Sequence, residues 1–271
     1  MKIAALQMVS TPDVKTNLDR ARELLKQAAF AGAELAVLPE YFCLLGLNDT
    51  DKLAIAEQPG SGPLQDFLSG CARDFNIWVV GGTIALATAV PGKVYNSTLV
   101  YNPAGQCVAR YDKMHLFCFD NGLESYDEAR VLVPGVQPVA FDMLSHDGHS
   151  YRVGLSICYD LRFPELYRAL ATQGADLLLV PSAFTHTTGQ AHWEVLLRAR
   201  AIENLAYVLA AAQGGLHENQ RRTWGQSMVV DPWGQILAEQ AEGTGVVLAE
   251  IDKAKLLAIR TQLPALQHRK L

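Results

Sequence analysis

The chain has 271 residues, of which 49% are hydrophobic and 19% charged, and its formal net charge is −5. That length and composition suit one large globular domain, residues 1–271, with a sizeable core. The acidic balance offers no field to hold nucleic acid or an anionic membrane surface, and no stretch is apolar enough to span a bilayer.

The five cysteines, at 43, 71, 107, 118 and 158, are widely spaced and include no C-x-x-C pair. This argues against a zinc ribbon or a redox dithiol and fits a reducing, cytoplasmic compartment. The N-terminal run Met1 to Met8 is too short and too interrupted for a signal peptide, and predicts a first strand instead.

In chain order, Ile3 to Met8 predicts a strand. Asn17 to Phe30 predicts an amphipathic helix with Leu18, Ala21, Leu24, Leu25 and Ala28 on one face and a stop at Gly32. Leu35 to Leu38 predicts a buried strand, Leu64 to Phe75 a helix, and Ile77 to Leu86 and Val94 to Tyr101 strands. Asn102-Pro103-Ala104-Gly105 predicts a turn, with Gln106 to Tyr111 pairing back as a hairpin.

The second half repeats these words in order. Lys2 to Met8 matches Arg152 to Cys158, and Gly32 to Glu40 matches Gly174 to Ser182. Ile77 to Gly82 resembles Ala206 to Ala211, and Ser97 to Gln106 resembles Ser227 to Gln235. Four matches in one order predict two half-units, about 1–145 and 146–250, with a C-terminal extension over 251–271. A half-unit with helices on one face of its sheet leaves the other face apolar. Burying the two apolar faces together predicts an α/β fold, a four-layer α-β-β-α sandwich with an internal pseudo-two-fold repeat.

The repeat is broken at two informative places. Cys158 stands where the first half has Met8, and Glu40 where the second has Ser182. Both fall at the carboxyl ends of predicted strands, where open α/β sheets place their sites. Cys158 follows the alternating strand Val153, Leu155, Ile157 and precedes a helix opened by Pro164. A cysteine at such an elbow has backbone N–H groups nearby and can act as a nucleophile; it can equally be a buried core residue. Glu40 beside a buried sheet end suits acid/base work, because burial favours the protonated form; a solvated turn glutamate is the plain alternative. Lys113, just past the hairpin strand, would ordinarily be a surface residue.

Together, Leu38-Pro39-Glu40, the run Tyr111 to Phe117 around Lys113, and Cys158-Tyr159-Asp160-Leu161-Arg162-Phe163-Pro164-Glu165 resemble the three motifs of the nitrilase superfamily of carbon–nitrogen hydrolases. The resemblance implies a Glu40, Lys113, Cys158 triad and an oxyanion held by Lys113 and the backbone N–H of Tyr159. It also implies a further active-site carboxylate. Tyr126-Asp127-Glu128-Ala129 upstream of Pro134-Gly135 matches that pattern at Glu128, with Ala129 in place of the family's serine, and Glu124-Ser125 is a competing alignment. It implies no cofactor and no metal, and a homodimer or higher homo-oligomer.

The stretches Pro181 to Asn204 and Trp224 to Gly234 resemble the deaminated glutathione amidase branch most closely. That implies a small amide substrate cleaved to 2-oxoglutarate and cysteinylglycine. An omega-amidase acting on 2-oxoglutaramate, an N-carbamoyl amidohydrolase and a catalytically silent binding protein of the same fold are the alternatives. A thiol redox sensor would need a resolving cysteine, for which only Cys118 offers itself.

Arg162 and Arg168 are candidates for a substrate carboxylate, and Arg198 and Arg200 for either that or ion pairing. Trp193, Leu196, Leu197 and Ala201 form a core stripe at helical spacing. His115 is expected as a structural hydrogen-bonding residue beside Lys113. His146, His149, His186 and His192 show no metal-ligand pattern. Leu263 and Leu266 make the segment Leu256 to Leu271 too apolar for a solvated tail and suit it to crossing onto a partner.

Overall fold

The structure, a computed structural model, describes residues 1–122 and 124–270. The first half runs β1 (Lys2–Gln7), α1 (Val14–Phe30), β2 (Leu35–Val37), α2 (Asp51–Ala54), α3 (Pro63–Phe75), β3 (Trp78–Val80), β4 (Ile84–Ala87), β5 (Val94–Tyr101) and β6 (Cys107–Asp112). A small hairpin, β7 (Cys118–Asp120) and β8 (Ser125–Asp127), follows. The second half runs β9 (Ala140–Leu144), β10 (Ser150–Leu155), α4 (Pro164–Thr172), β11 (Leu177–Leu179), α5 (His186–Asn204) and β12 (Tyr207–Ala210). It ends with the hairpin β13 (Gly214–Leu216) and β14 (Arg222–Trp224), then β15 (Ser227–Val230), β16 (Ile236–Gln240), β17 (Gly245–Glu250) and α6 (Lys253–Gln262).

Two sheets carry the fold. The first has the order β17-β1-β2-β3-β5-β4, with β6 also paired to β5; the second has the order β16-β15-β12-β11-β10-β9. Alternation along each strand sorts the side chains between layers. Ile3, Ala5, Leu35 and Val37 share one core with Val153, Leu155, Leu177 and Leu179 of the facing sheet. Ala4, Leu6, Ala36 and Leu38 point the other way and pack with Leu24, Leu25, Leu64 and Leu68 of α1 and α3. Helices α4 and α5 cover the outer side of the second sheet. The four-layer sandwich is therefore as expected.

The repeat extends to register. Ile3 pairs with Leu35 and Leu35 with Trp78; their counterparts Val153, Leu177 and Tyr207 pair in the same way. Even the irregularities correspond, since a bulge falls between Val100 and Tyr101 on β5 and between Val229 and Val230 on β15. In the fourth match the pairing aligns Val100 with Val229, one residue off an alignment begun at Ser97 and Ser227. Two edge strands lie across the division into 1–145 and 146–250. β9 joins the second sheet against β10, and β17 returns to the first sheet against β1. β17 is thus the counterpart of β9, delivered from the other end of the chain.

One element differs from expectation. The strand predicted over Ile77 to Leu86 is cut into β3 and β4 at Gly81-Gly82. Gly82 has φ +49°, and a Cβ there would lie 2.0 Å from the Pro39 carbonyl oxygen, so only glycine fits against the Glu40 loop. The start of the C-terminal segment packs on its own chain, since Leu256 is buried and Arg260 on α6 donates to the Leu205 and Ala175 carbonyls and to Asp176, while Leu263 beyond it is exposed. Its last residue, Leu271, lies outside the described residues. Among the described residues no helix is long and apolar enough to cross a membrane.

Candidate active site

Three loops reach one rim of the sandwich. Leu38 continues the sheet by donating to the Val80 carbonyl, and two residues later Glu40 leaves β2. Lys113 follows β6 and is fixed by its own N–H donating to Asn96 O and by Gly135 N–H donating to its carbonyl. Cys158 follows β10; its N–H donates to the Pro181 carbonyl, and its φ of +48° is a conformation that non-glycine residues rarely adopt. Tyr41, after Glu40, has φ +57°. Held by surrounding structure, such strained backbone is common where side chains must be aimed.

The side chains converge. Lys113 Nζ donates to Glu40 Oε1 at 2.9 Å and to Glu128 Oε1 at 2.9 Å. Glu40 Oε1 also accepts from Asn96 Nδ2 at 2.8 Å, and Oε2 from the Ala183 N–H at 2.9 Å. Glu128 accepts from the Tyr41 hydroxyl at 3.0 Å and from the Phe117 N–H at 2.7 Å. Glu40 and Lys113 are each 1% exposed, so these charges survive burial only because each is paired and hydrogen-bonded.

The electrostatics follow from that packing. Burial alone would lower the Lys113 ammonium, but the Glu128 and Glu40 carboxylates outweigh it and hold the lysine well above its usual value. Burial likewise opposes ionisation of Glu128, and the Lys113 ammonium with the Phe117 N–H brings it below the usual carboxylate range. The Cys158 thiol is pushed well up, first by burial and then by the Glu40 charge, with Lys113 pulling the other way. At rest the sulfur is therefore a thiol. A nucleophilic role would need a base to take its proton, and the Glu40 carboxylate is the adjacent candidate.

Cys158 opens into a small cavity lined by Phe117, Tyr159, Ala183, Phe184, Thr185 and Thr188. Tyr159 lies in the first turn of the 3₁₀ segment Cys158–Arg162. Among the described residues its N–H meets no backbone acceptor, which leaves it available to an oxyanion.

The competing glutamates separate. Glu128 touches Lys113, whereas Glu124 accepts from the Thr187 and Tyr126 hydroxyls at the hairpin. The arginines separate too. Arg162 lies over the rings of Tyr159 and Phe184, at 5.9 and 5.5 Å, and its guanidinium meets His192 Nδ1 at 3.3 Å. Arg168 is not in this group: it donates to the Glu203 carbonyl and ties α4 to α5. Arg198 pairs with Glu194 and donates to Gly234 O. Arg200 is buried, donates twice to the Leu161 carbonyl and pairs with Glu203, so it braces the cysteine loop from behind. Trp193, Leu197 and Ala201 are core.

Sequence reasoning passed over Asn96, Tyr41 and Asp160. Asp160 is fully buried and clasps two loops together. It accepts from the Ile157 N–H and Tyr111 hydroxyl on one oxygen and from the His115 N–H and ring on the other. It lay inside the cysteine motif, where its charge was the available signal. Tyr41 and Asn96 carried none beyond their nearness to Glu40 and to the β5 repeat.

Known proteins place this geometry in a family. The carbon–nitrogen hydrolase family model matches residues 2–261. A deaminated glutathione amidase of Synechocystis is 45% identical over 269 residues, covering 98% of this chain and 97% of its own. The human deaminated glutathione amidase is 40% identical over 280 residues, covering 99% of this chain and 82% of its own. The crystal structure of Saccharomyces cerevisiae Nit3, described as a member of branch 10 of the nitrilase superfamily, superposes with a TM-score of 0.87. It is 32% identical and covers 100% of this chain and 97% of that one. The chain belongs to the carbon–nitrogen hydrolase family.

Proposed function

We propose that this chain is an amidase that cleaves deaminated glutathione to 2-oxoglutarate and cysteinylglycine through a thioester on Cys158. The observation that carries the reading is the buried Glu40–Lys113 pair beside the strained Cys158 elbow. The relatives named for that substrate, bacterial and human, support the choice of amide.

Glu40 takes the Cys158 proton, and the thiolate attacks the amide carbon. The oxyanion forms between the Lys113 ammonium and the Tyr159 N–H; one lost donor in such a hole typically costs about 3–4 kcal/mol of barrier. The C–N bond breaks as Glu40 returns the proton to the leaving amine. Water then gives a proton to Glu40 and attacks the thioester, and the Cys158 sulfur leaves, taking that proton back from Glu40, to close the cycle. Glu128 holds Lys113 in place. Arg162, over two rings that line the cavity and with no carboxylate in ion-pair contact among the described residues, would hold the carboxylate of the acyl half.

The five cysteines are free thiols, in keeping with a cytoplasmic enzyme. Helix α5 leaves Val195 and Ile202 exposed, in keeping with a homodimer or higher homo-oligomer, which sedimentation would test. The activity is tested by offering deaminated glutathione and 2-oxoglutaramate separately and following 2-oxoglutarate release. Faster turnover of the larger amide is expected; a clear preference for 2-oxoglutaramate would make this an omega-amidase instead.

A further inference from the structure

The acyl half of the proposed substrate has an obvious cation in Arg162. The amine half also ends in a carboxylate, and a second pair of cations lies on the other flank of the site. Lys52 Nζ sits 4.7 Å over the Tyr41 ring, and the Tyr41 hydroxyl bonds Glu128. The Arg221 guanidinium sits 4.7 Å over the Tyr126 ring. That ring lies 5.6 Å from Phe117, whose own ring lines the Cys158 cavity.

Both cations are under-committed. Glu128 already holds Lys113, and among the described residues Lys52 has no carboxylate in ion-pair contact. Arg221 has Asp49 at 3.5 Å, an exposed and loose pair. Burial lowers the Lys52 pKa and the Arg221 charge adds to that, against the opposing charges of Glu128, Asp49 and Glu40, so a further anion arriving between the two cations would be favoured by both.

Direction follows from the proposed chemistry, on which this inference rests. Glu40 protonates the departing nitrogen, so the substituent on that nitrogen extends along the Glu40–Glu128 flank. Tyr41 and Lys52 stand on that flank, whereas Arg162 stands over Tyr159 and Phe184. We propose that Lys52 and Arg221 form the receptor for the terminal carboxylate of the leaving peptide, so that the enzyme selects its amide by the amine as well as by the acid.

The test compares three amides: deaminated glutathione, its analogue with a C-terminal carboxamide, and 2-oxoglutaramate, whose leaving group is ammonia. Lys52→Gln/Arg221→Gln should lower kcat/KM for deaminated glutathione about 10- to 100-fold, as expected for a lost charge-assisted contact. The same variant should change kcat/KM for the carboxamide and for 2-oxoglutaramate less than about two-fold, and Arg221→Lys should recover part of the loss. Arg162→Gln should instead depress all three. An equal loss on all three amides in Lys52→Gln/Arg221→Gln, or no loss on deaminated glutathione, would overturn the receptor. Wild-type protein that hydrolyses none of the three would instead remove the functional reading on which it stands.

Discussion

The two matched strand ends, after β1 and after β10, share a backbone plan and differ in what they do with it. Met8 ends the first as a core residue, 1% exposed, with its N–H on the Ala212 carbonyl and its own carbonyl accepting from Gly214. Cys158 ends the second with a left-handed turn and a side chain in a cavity. The pair after β2 and β11 divides the same way. Glu40 takes three hydrogen bonds into the site, while Ser182 donates weakly to the Val180 carbonyl two residues back. Yet the quiet copy is not idle, since the residue after Ser182 gives Glu40 its backbone N–H. The half that lacks the glutamate thus supplies a backbone donor that orients it.

The contrast can be broken most severely at the sulfur. Cys158→Ala should reduce turnover at least about 10⁴-fold, as loss of a nucleophile does elsewhere. Met8→Leu at the matched position should cost less than about 1.5 kcal/mol in urea unfolding and leave kcat/KM within a few-fold. Comparable catalytic loss in both would mean that the two ends are not functionally distinct.

Next comes the charge network. Lys113→Met leaves a buried carboxylate, Glu40, and a partly buried one, Glu128, without their cation. It should cost about 3–5 kcal/mol of stability and about 10²–10³-fold in kcat. Ser182→Ala should cost only about 0.5–1.5 kcal/mol and spare activity. Denaturant unfolding with steady-state kinetics on both variants decides whether the network or the scaffold carries the difference.

Glu128 sharpens the comparison through pH. Its folded pKa is below the usual carboxylate value. Its contribution is therefore complete above the usual carboxylate range and lost as pH falls through the depressed value. The stability difference between wild type and Glu128→Gln should be flat near neutrality and shrink in acid. A difference that grows in acid would reverse the sign of the Lys113 interaction.

The smallest effect is in thiol labelling. Cys43, pushed up to about 12 by burial, and Cys71, to about 11, should resist iodoacetamide until the protein unfolds. The exposed Cys107 and Cys118 should label with or without substrate, and Cys158 should be the substrate-protected site.

Much of this was legible in the sequence because duplication wrote the fold twice. The words around Leu35 and Leu177 predicted both strands, to which the structure adds their matching register, and the departures at Glu40 and Cys158 stood out against the copies. Local patterns could not show contacts made across the sandwich. The Ala183 N–H on Glu40 spans the two halves and depends on backbone direction, which carries no residue signature. Asn96 sits on β5 between Tyr95 and Ser97, and only the fold turns its amide onto Glu40. The break at Gly81-Gly82 was signalled by the glycines, and Gly82 is required by the Pro39 carbonyl packed against it. Arg168 looked like a carboxylate ligand because composition cannot say which face of α4 meets α5.

The central claim is that the buried Glu40–Lys113 pair serves a covalent step at Cys158. Rapid acid quenching of the enzyme with deaminated glutathione, followed by digestion and mass spectrometry, tests it directly. The account predicts a 2-oxoglutaryl thioester on the peptide carrying Cys158 and on no other. An acyl group on a different residue, or undiminished hydrolysis by Cys158→Ala, would contradict it.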